Sequence, residues 1–282
     1  MRLSQSRSML PRFAHSLLAR AATRGIVSLF SLRTLLERLL RPLRFRRRLP
    51  ATFGGIPIVV SPSAGLKFAF RSSERLDPEL LRSARRLVRP GDVVWDVGAN
   101  VGLFSYASAY LAGTNGRVLA FEPDTWLVAL LRQSSRLQPD TSAPVEILPV
   151  AIAASEDIRR FSISRRSRAA SFLSEYGGSQ TGGTSETHSV LAVSLDWLCM
   201  RLPNPSVIKI DVEGAELEVL QGAAHVIRAL RPRFLVEVSS ANAPEIARIL
   251  LDSGYDLYDG EEDPELTTPI REARWSTVAV PR

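Results

Sequence analysis

At 282 residues, 45% of them hydrophobic, the chain has material for one large domain or two small ones and for a sizeable core. Its single cysteine, Cys199, excludes an internal disulfide framework and a cysteine-built zinc site, and His15, His188 and His225 are too scattered for a metal cluster. No metal site is expected, and no run of about 18 apolar residues suggests a spanning helix.

The formal charge of +7 is unevenly spread: residues 1–50 hold twelve arginines and one acid, Glu37, while the remainder is mildly acidic. This separates a basic arm, 1–50, from a domain at 51–282. Leucines at 29, 32, 35, 36, 39, 40 and 43 fall close to helical spacing, so an amphipathic helix is expected over 28–45, ended or bent by Pro42. Three readings of the arm stand side by side: a helix packed on the domain, a helix lying on an anionic membrane surface, and an organellar targeting segment. A mildly acidic domain argues against a nucleic-acid grip across it, so no nucleic-acid partner is expected.

After the linker Pro50–Gly55, Ile56–Val60 and Leu66–Phe70 flank a Ser-Pro-Ser-Ala-Gly turn and read as a short hairpin. Asp77-Pro78 starts a helix running to about Val88. Strands and helices then alternate: strand 92–97, helix 102–112, strand 117–121, helix 124–137, strand 145–150. Ile158–Ser164 reads as an extra strand and 190–193 as another. Between them, 165–187 is polar, with two Gly-Gly pairs, and reads as a mobile lid. Ser194 caps a helix containing Asp196 and Trp197. Strand 207–212, helix 214–230, strand 234–238, a helix near 244–253 and strands 255–258 and 277–280 complete the sheet.

The first chemical signal is DVGANVG at 96–102, between an apolar strand and a helix, with a second strand ending in Glu122-Pro123 about twenty residues on. Gly98 and Gly102 let the backbone turn sharply beside a ligand. Glu122, at the carboxyl edge of its strand, is placed to accept hydrogen bonds from both hydroxyls of a ribose. Asn100 replaces the second glycine that a pyrophosphate requires, and Asp96 would repel a phosphate but attract an ammonium. Both departures favour S-adenosylmethionine over a dinucleotide, with Asp96 meeting its amino group through the loop and Gly98–Gly102 lining its methionine part.

The second signal is KIDVEGAE at 209–216. Asp211 closes a central strand and faces the same crevice, where a carboxylate can take a proton from an attacking hydroxyl or bind a cation. Glu213 and Glu216 also suit the positive start of the next helix. Glu237, after four apolar residues, is an unusual acid for a buried strand and faces the crevice or pairs with Lys209. His188 stands at the lid's edge as a candidate general base or a solvated loop histidine.

These residues resemble the FkbM-type family of class I methyltransferases. The resemblance rests on PGDVVWDVGANVGLFS at 90–105, FEP at 121–123, SLDWL at 194–198, IKIDVEGAELEVLQGA at 208–223 and LVEVS at 235–239. It implies an α/β fold: a Rossmann-like, seven-stranded, mostly parallel sheet with helices on both faces, here preceded by the hairpin and the arm. It implies S-adenosyl-L-methionine as cofactor, with Asp96, Gly98, Asn100, Gly102 and Glu122 as contacts, and backbone near Val150 and Ala151 meeting the adenine. Asp211, Glu213 and Glu237 would line the methyl-acceptor side. The implied activity is O-methyl transfer to a hydroxyl of a sugar, a glycolipid or a secondary metabolite. A divalent metal has no support in the residues. The expected location is cytoplasmic, with the arm as a route to the inner face of a membrane. An RNA methyltransferase gripping phosphates through the arm, and a non-catalytic cofactor-binding module, are the alternative readings.

Overall fold

Phe45–Arg48 (β1) is the first element described by the computed structural model, which covers residues 43–282 apart from 66–71, 73–75, 166, 177–182 and 264. The expected helix at 28–45 therefore lies almost wholly outside the described residues. β1 pairs antiparallel with Pro57–Val60 (β2), Phe45 opposite Val60 and Arg48 opposite Pro57. The sequence placed the second strand of the hairpin at 66–70, which lies outside the described residues. Ser61 accepts from the Ser63 amide and winds 62–64 into a 3-10 turn, taking the chain off the ladder after Val60. The partner comes from the segment assigned to the arm, so the arm's last residues are built into the fold. The hairpin docks on the fold through Val59 N–H, which donates to Ser134 Oγ at 2.8 Å, and through Gln138, which donates to the Pro57 carbonyl at 2.9 Å.

Asp77 caps Pro78–Leu87 (α1), with the proline in the first turn as expected. Val93–Val97 (β3), Leu103–Ala112 (α2), Arg117–Phe121 (β4), Thr125–Ser135 (α3) and Val145–Leu148 (β5) follow in strict alternation. The strand expected at 145–150 stops at Leu148, and Ala151–Ile152 (β6) joins a different sheet. Asp157–Ser164 (β7), Phe172–Leu173 (β8) and Thr184–Val193 (β9) make up that second, four-stranded sheet, ordered β6-β9-β7-β8.

Leu195–Cys199 (α4), capped by Ser194, leads to Val207–Ile210 (β10) and Glu216–Gln221 (α5). The single helix expected over 214–230 is interrupted. Gly222 packs so tightly that a Cβ there would lie 2.4 Å from the Ala153 carbonyl oxygen, and the chain resumes as a π-helical segment at Val226–Leu230. Arg233–Glu237 (β11), Ala243–Asp252 (α6), Tyr255–Asp259 (β12) and Ser276–Pro281 (β13) close the fold.

The main sheet has seven strands ordered β12-β13-β11-β10-β3-β4-β5, parallel except for β13. Its central strands are apolar runs because both faces are covered. One face packs Val94, Val118 and Ala120 against α1, α2 and α3. The other packs Trp95, Leu119, Ile208 and Phe234 against α4, α5 and α6. Sheet, helices on both faces and leading hairpin agree with the expected Rossmann-like architecture. Among the described residues no helix is long and apolar enough to cross a membrane.

Candidate active site

β3 and β10 are neighbours, Lys209 opposite Asp96, so their carboxyl ends open side by side at one edge of the sheet. Ligands of open α/β sheets bind at that edge. The chain leaves β3 through Gly98 and Asn100, both in the left-handed region at φ 76° and 53°. Glycine is required at 98: a Cβ would lie 1.9 Å from the Asp211 carbonyl oxygen, so the β3 and β10 loops touch backbone to backbone. Asparagine is among the few side chains that tolerate the conformation at 100. Its Oδ1 is buried with no hydrogen-bond partner among the described residues.

Beneath this turn Lys209 is buried, and its Nζ reaches Asp96 Oδ1 at 3.1 Å, the Gly98 carbonyl at 3.0 Å and Asp211 Oδ2 at 3.1 Å. Burial alone would lower its pKa, but the carboxylates of Asp211, Asp96 and Glu237 outweigh that and hold it above the usual lysine range. Asp96 is wholly buried, and its other oxygen accepts from Ser105 Oγ. Both Asp96 oxygens are thus engaged by the protein.

Glu122 closes the β4 side. One oxygen accepts from Asn100 N–H at 2.8 Å, the other from Asp124 N–H at 2.9 Å. Burial pushes its carboxyl up to about 8, against the two amides that favour the ionised form.

Glu122 and Asp211 stand in the lining of one cavity of about 650 Å³, its open mouth included. Its floor is Gly98, Asn100 and Glu122; Val150 and Ala151 form one wall, and Asp211, Val212 and Glu213 another. The roof comes from the second sheet and the segment before β8: Phe161, Arg168, Ala169, Phe172 and Leu173. Of the segment 165–187, expected to be a mobile lid, residues 168–173 supply this roof, while 166 and 177–182 lie outside the described residues. The segment forms a 3-10 turn at Arg168–Ala170, β8, a second turn at Ser174–Tyr176 and the start of β9. Its serine- and glycine-rich composition concealed Phe172 and Leu173, which are buried.

The roof is tied to both rims. Arg168 pairs with Asp124 at 2.5 Å and Glu186 at 3.5 Å, its guanidinium 5.0 Å from the Trp126 ring centre. Across the cavity, Tyr176 Oη donates to Glu218 at 2.7 Å and Arg159 pairs with the same carboxylate at 2.9 Å.

The acids beyond β10 separate by environment. Asp211 is half-buried in the cavity wall, one oxygen on Lys209. Glu213 has exposed surface but stands in the concave mouth, where loss of water, then repulsion from Asp211 and Glu216, raise its carboxyl to about 7. Glu216 is buried and serves the fold, accepting from Gly214 N–H at 3.1 Å and Asn242 Nδ2 at 2.8 Å. Glu237 ends β11 outside the cavity lining, near enough for its charge to act on Lys209. Asp196 accepts from the amides of His225 and Val226, both at 2.9 Å, and so caps the π-helical segment. His188 lies exposed on β9, 3.1 Å from Glu186. Among the described residues no cluster of three or more metal-ligating side chains forms.

A family model for the methyltransferase FkbM domain matches residues 96–257, more than half of the chain. The chain belongs to this methyltransferase family. It is 28% identical over 182 residues to the hexuronic acid methyltransferase AglP of Haloferax volcanii, covering 63% of this chain and 68% of that one. Among solved structures, an FkbM methyltransferase from Methylobacillus flagellatus aligns with 17% identity and a TM-score of 0.44 over 73% of this chain. This chain spans about half, 51%, of that protein. A SAM-dependent O-methyltransferase from Thermotoga maritima aligns with 15% identity and a TM-score of 0.43, over 80% of this chain and 74% of that one.

Of the residues singled out from the sequence of this FkbM-family member, Gly98, Asn100, Glu122, Val150, Ala151, Asp211 and Glu213 converge on the cavity. Asp96, Gly102 and Glu237 stand outside its lining. Gly102 instead begins α2 at φ 84°, against Tyr106 and Leu131. Two residues were given no role at the site from the sequence, although Lys209 was named as a partner for Glu237. Lys209 was open to detection, because it is one of only two lysines against 34 arginines and it interrupts an apolar strand. A compact ammonium fits between two carboxylates and a carbonyl where a planar guanidinium does not. Arg168 carried no such signal, since it sits in an arginine- and serine-rich stretch.

Proposed function

We propose that this FkbM-family chain transfers a methyl group from S-adenosylmethionine to an oxygen of a sugar acceptor. The observation that carries the reading is Glu122, a carboxylate buried on the cavity floor beside a glycine turn, with lone pairs left after its two backbone amides. The cofactor suits the residues present. Glu122 would accept from its ribose hydroxyls, Val150 and Ala151 would meet its adenine through backbone, and Phe161 and Phe172 would cover it. Asn100 Oδ1, buried without a partner, would accept from its ammonium. Gly98 lets the β3 turn pack directly on the Asp211 backbone, which brings Glu122 and Asp211 to one cavity. Asp96, with both oxygens engaged, would act at one remove by fixing Lys209 and the turn.

When bound, the cofactor supplies a methyl group on a sulfonium, ready for direct displacement by an oxygen. Asp211, one oxygen held by Lys209, would present the other to an acceptor hydroxyl and take its proton. Glu213 in the mouth would orient the acceptor. The roof excludes water, and alignment in a closed cavity supplies much of the acceleration. The hexuronic acid in the name of the Haloferax relative makes a uronic acid glycoside the first acceptor to try.

The test is calorimetric titration of the full chain with S-adenosylhomocysteine, followed by labelled methyl transfer to uronic acid and neutral glycosides. Micromolar binding lost in Glu122→Ala, with transfer to at least one glycoside, is the expected result. Absence of binding in the folded wild type would overturn the cofactor assignment, and binding without transfer to any glycoside would overturn the acceptor class.

A further inference from the structure

The chain has four tryptophans, and three are engaged by the protein. Trp95 is fully buried, edge-on to Phe121, its Nε1 donating to the Pro203 carbonyl at 3.1 Å. Trp126 lies between the guanidinium groups of Arg44 and Arg168, and Trp197 lies under Arg201 at 3.8 Å. Trp275 differs. It is 59% exposed, and neither its ring nor its Nε1 meets a ring, cation or hydrogen-bond partner among the described residues. A solvated indole offers a large flat apolar face and an N–H donor together, the two features that an amphipathic ring system can engage.

Its place in the fold gives that surface a purpose. β13 runs antiparallel to β11, Ser276 opposite Glu237, so the start of β13 lies at the carboxyl edge of the parallel strands. Trp275 is therefore on the site's edge of the sheet, two strands from the one that ends at Asp211. At roughly 4.8 Å per strand that is about 10 Å, the reach of a short saccharide. The backbone there is pinned: Val238 N–H donates to the Trp275 carbonyl at 2.8 Å, and the buried Thr277 hydroxyl bonds Arg274 N–H at 2.8 Å and its carbonyl at 2.7 Å. A fixed backbone carrying a free aromatic ring is a preorganised platform.

We propose that Trp275 is a sugar-binding platform, stacking its indole on the C–H face of a pyranose ring of the acceptor and donating Nε1–H to a ring hydroxyl. The residue lies beyond the matched segment 96–257. The platform role rests on the sugar reading above and deepens it.

The test uses the full chain saturated with S-adenosylhomocysteine and titrates the methyl glycosides of glucuronic acid and glucose by calorimetry, for wild type, Trp275→Ala and Trp275→Phe. Stacking predicts glycoside binding about tenfold weaker in Trp275→Ala, largely restored in Trp275→Phe, with S-adenosylhomocysteine affinity unchanged. With a turned-over acceptor, KM should rise while kcat holds. Equal glycoside binding by all three proteins would overturn the platform and leave the methyltransferase reading standing. Loss of S-adenosylhomocysteine binding in Trp275→Ala would show a structural role instead. Unchanged glycoside binding with lost sedimentation on phosphatidylglycerol vesicles would make the ring a membrane contact. A wild type that binds neither glycoside would overturn the sugar reading together with the platform.

Discussion

The floor and the roof of the cavity are held by different forces. The floor, with the Asp211 wall beside it and the layer beneath, is an electrostatic unit that is largely buried. Asp96, Lys209 and Asp211 form a chain of ion pairs, and Glu122 hangs on two backbone amides, all within the carboxyl ends of three adjacent parallel strands. The roof is an apolar patch, Phe161, Phe172 and Leu173, tied at the rims by two largely buried ion pairs and a tyrosine hydroxyl. Floor positions tolerate no unpaired charge, whereas the roof can lose a tie and remain in place. The same fold thus fixes the reacting geometry rigidly and covers it with something looser.

The sharpest way to break this contrast is Lys209→Met. It strands Asp96 in the interior, and losing one partner of a buried pair costs about 3–5 kcal/mol. Urea unfolding should show it, and adding Asp96→Asn should recover part of the loss. A change within about 0.5 kcal/mol would mean that the ammonium does not hold the floor. Asp211→Asn keeps the shape but removes the base. We expect kcat to fall by about 10²–10⁴ with S-adenosylhomocysteine affinity retained; loss of both would place Asp211 in cofactor binding.

Glu122 gives the contrast a pH dependence. Its folded-state pKa of about 8 lies above the usual 4.5, so the folded protein holds the proton more tightly than the unfolded chain. That contribution to stability is present in full below about 4.5 and is lost as pH rises through about 8. The stability of Glu122→Gln relative to wild type should therefore increase from pH 5 to pH 9, and parallel urea midpoints across that range would contradict it. The smallest effect belongs to the roof. Arg168→Ala leaves the buried Asp124 with only its Trp126 amide, so the loss in stability should be about 1–3 kcal/mol. Cofactor affinity should fall severalfold, and unchanged affinity in a titration would show that the tie does not close the roof.

Much of the floor was legible in the sequence, because a strand, a glycine turn and a strand ending in a carboxylate are signals contained in thirty residues. Apolar runs and the cap residues Asp77 and Ser194 located most elements of the main sheet. The roof was misread because its composition is that of a loop while its structure depends on β7 and β9 pairing across twenty residues. The pairing of β2 with β1 was not read, because β1 lies in the arginine-rich segment assigned to the arm, whose composition carries no strand signal.

What the sequence determined by itself is the set of local geometries: where strands end, where the chain turns left-handed, and which carboxylates stand at the sheet's edge. Only the tertiary structure decided how those carboxylates divide the work. Asp96 reads as a ligand contact in sequence, and the fold also pairs it with Lys209 and Ser105, because residues 96 and 209 lie opposite one another on adjacent strands. Glu216 and Asp196 are drawn in the same way into caps and loop ties. Whether a charged side chain serves the fold or the site depends on which partners the distant chain brings within about 3 Å of it, and no local pattern encodes that.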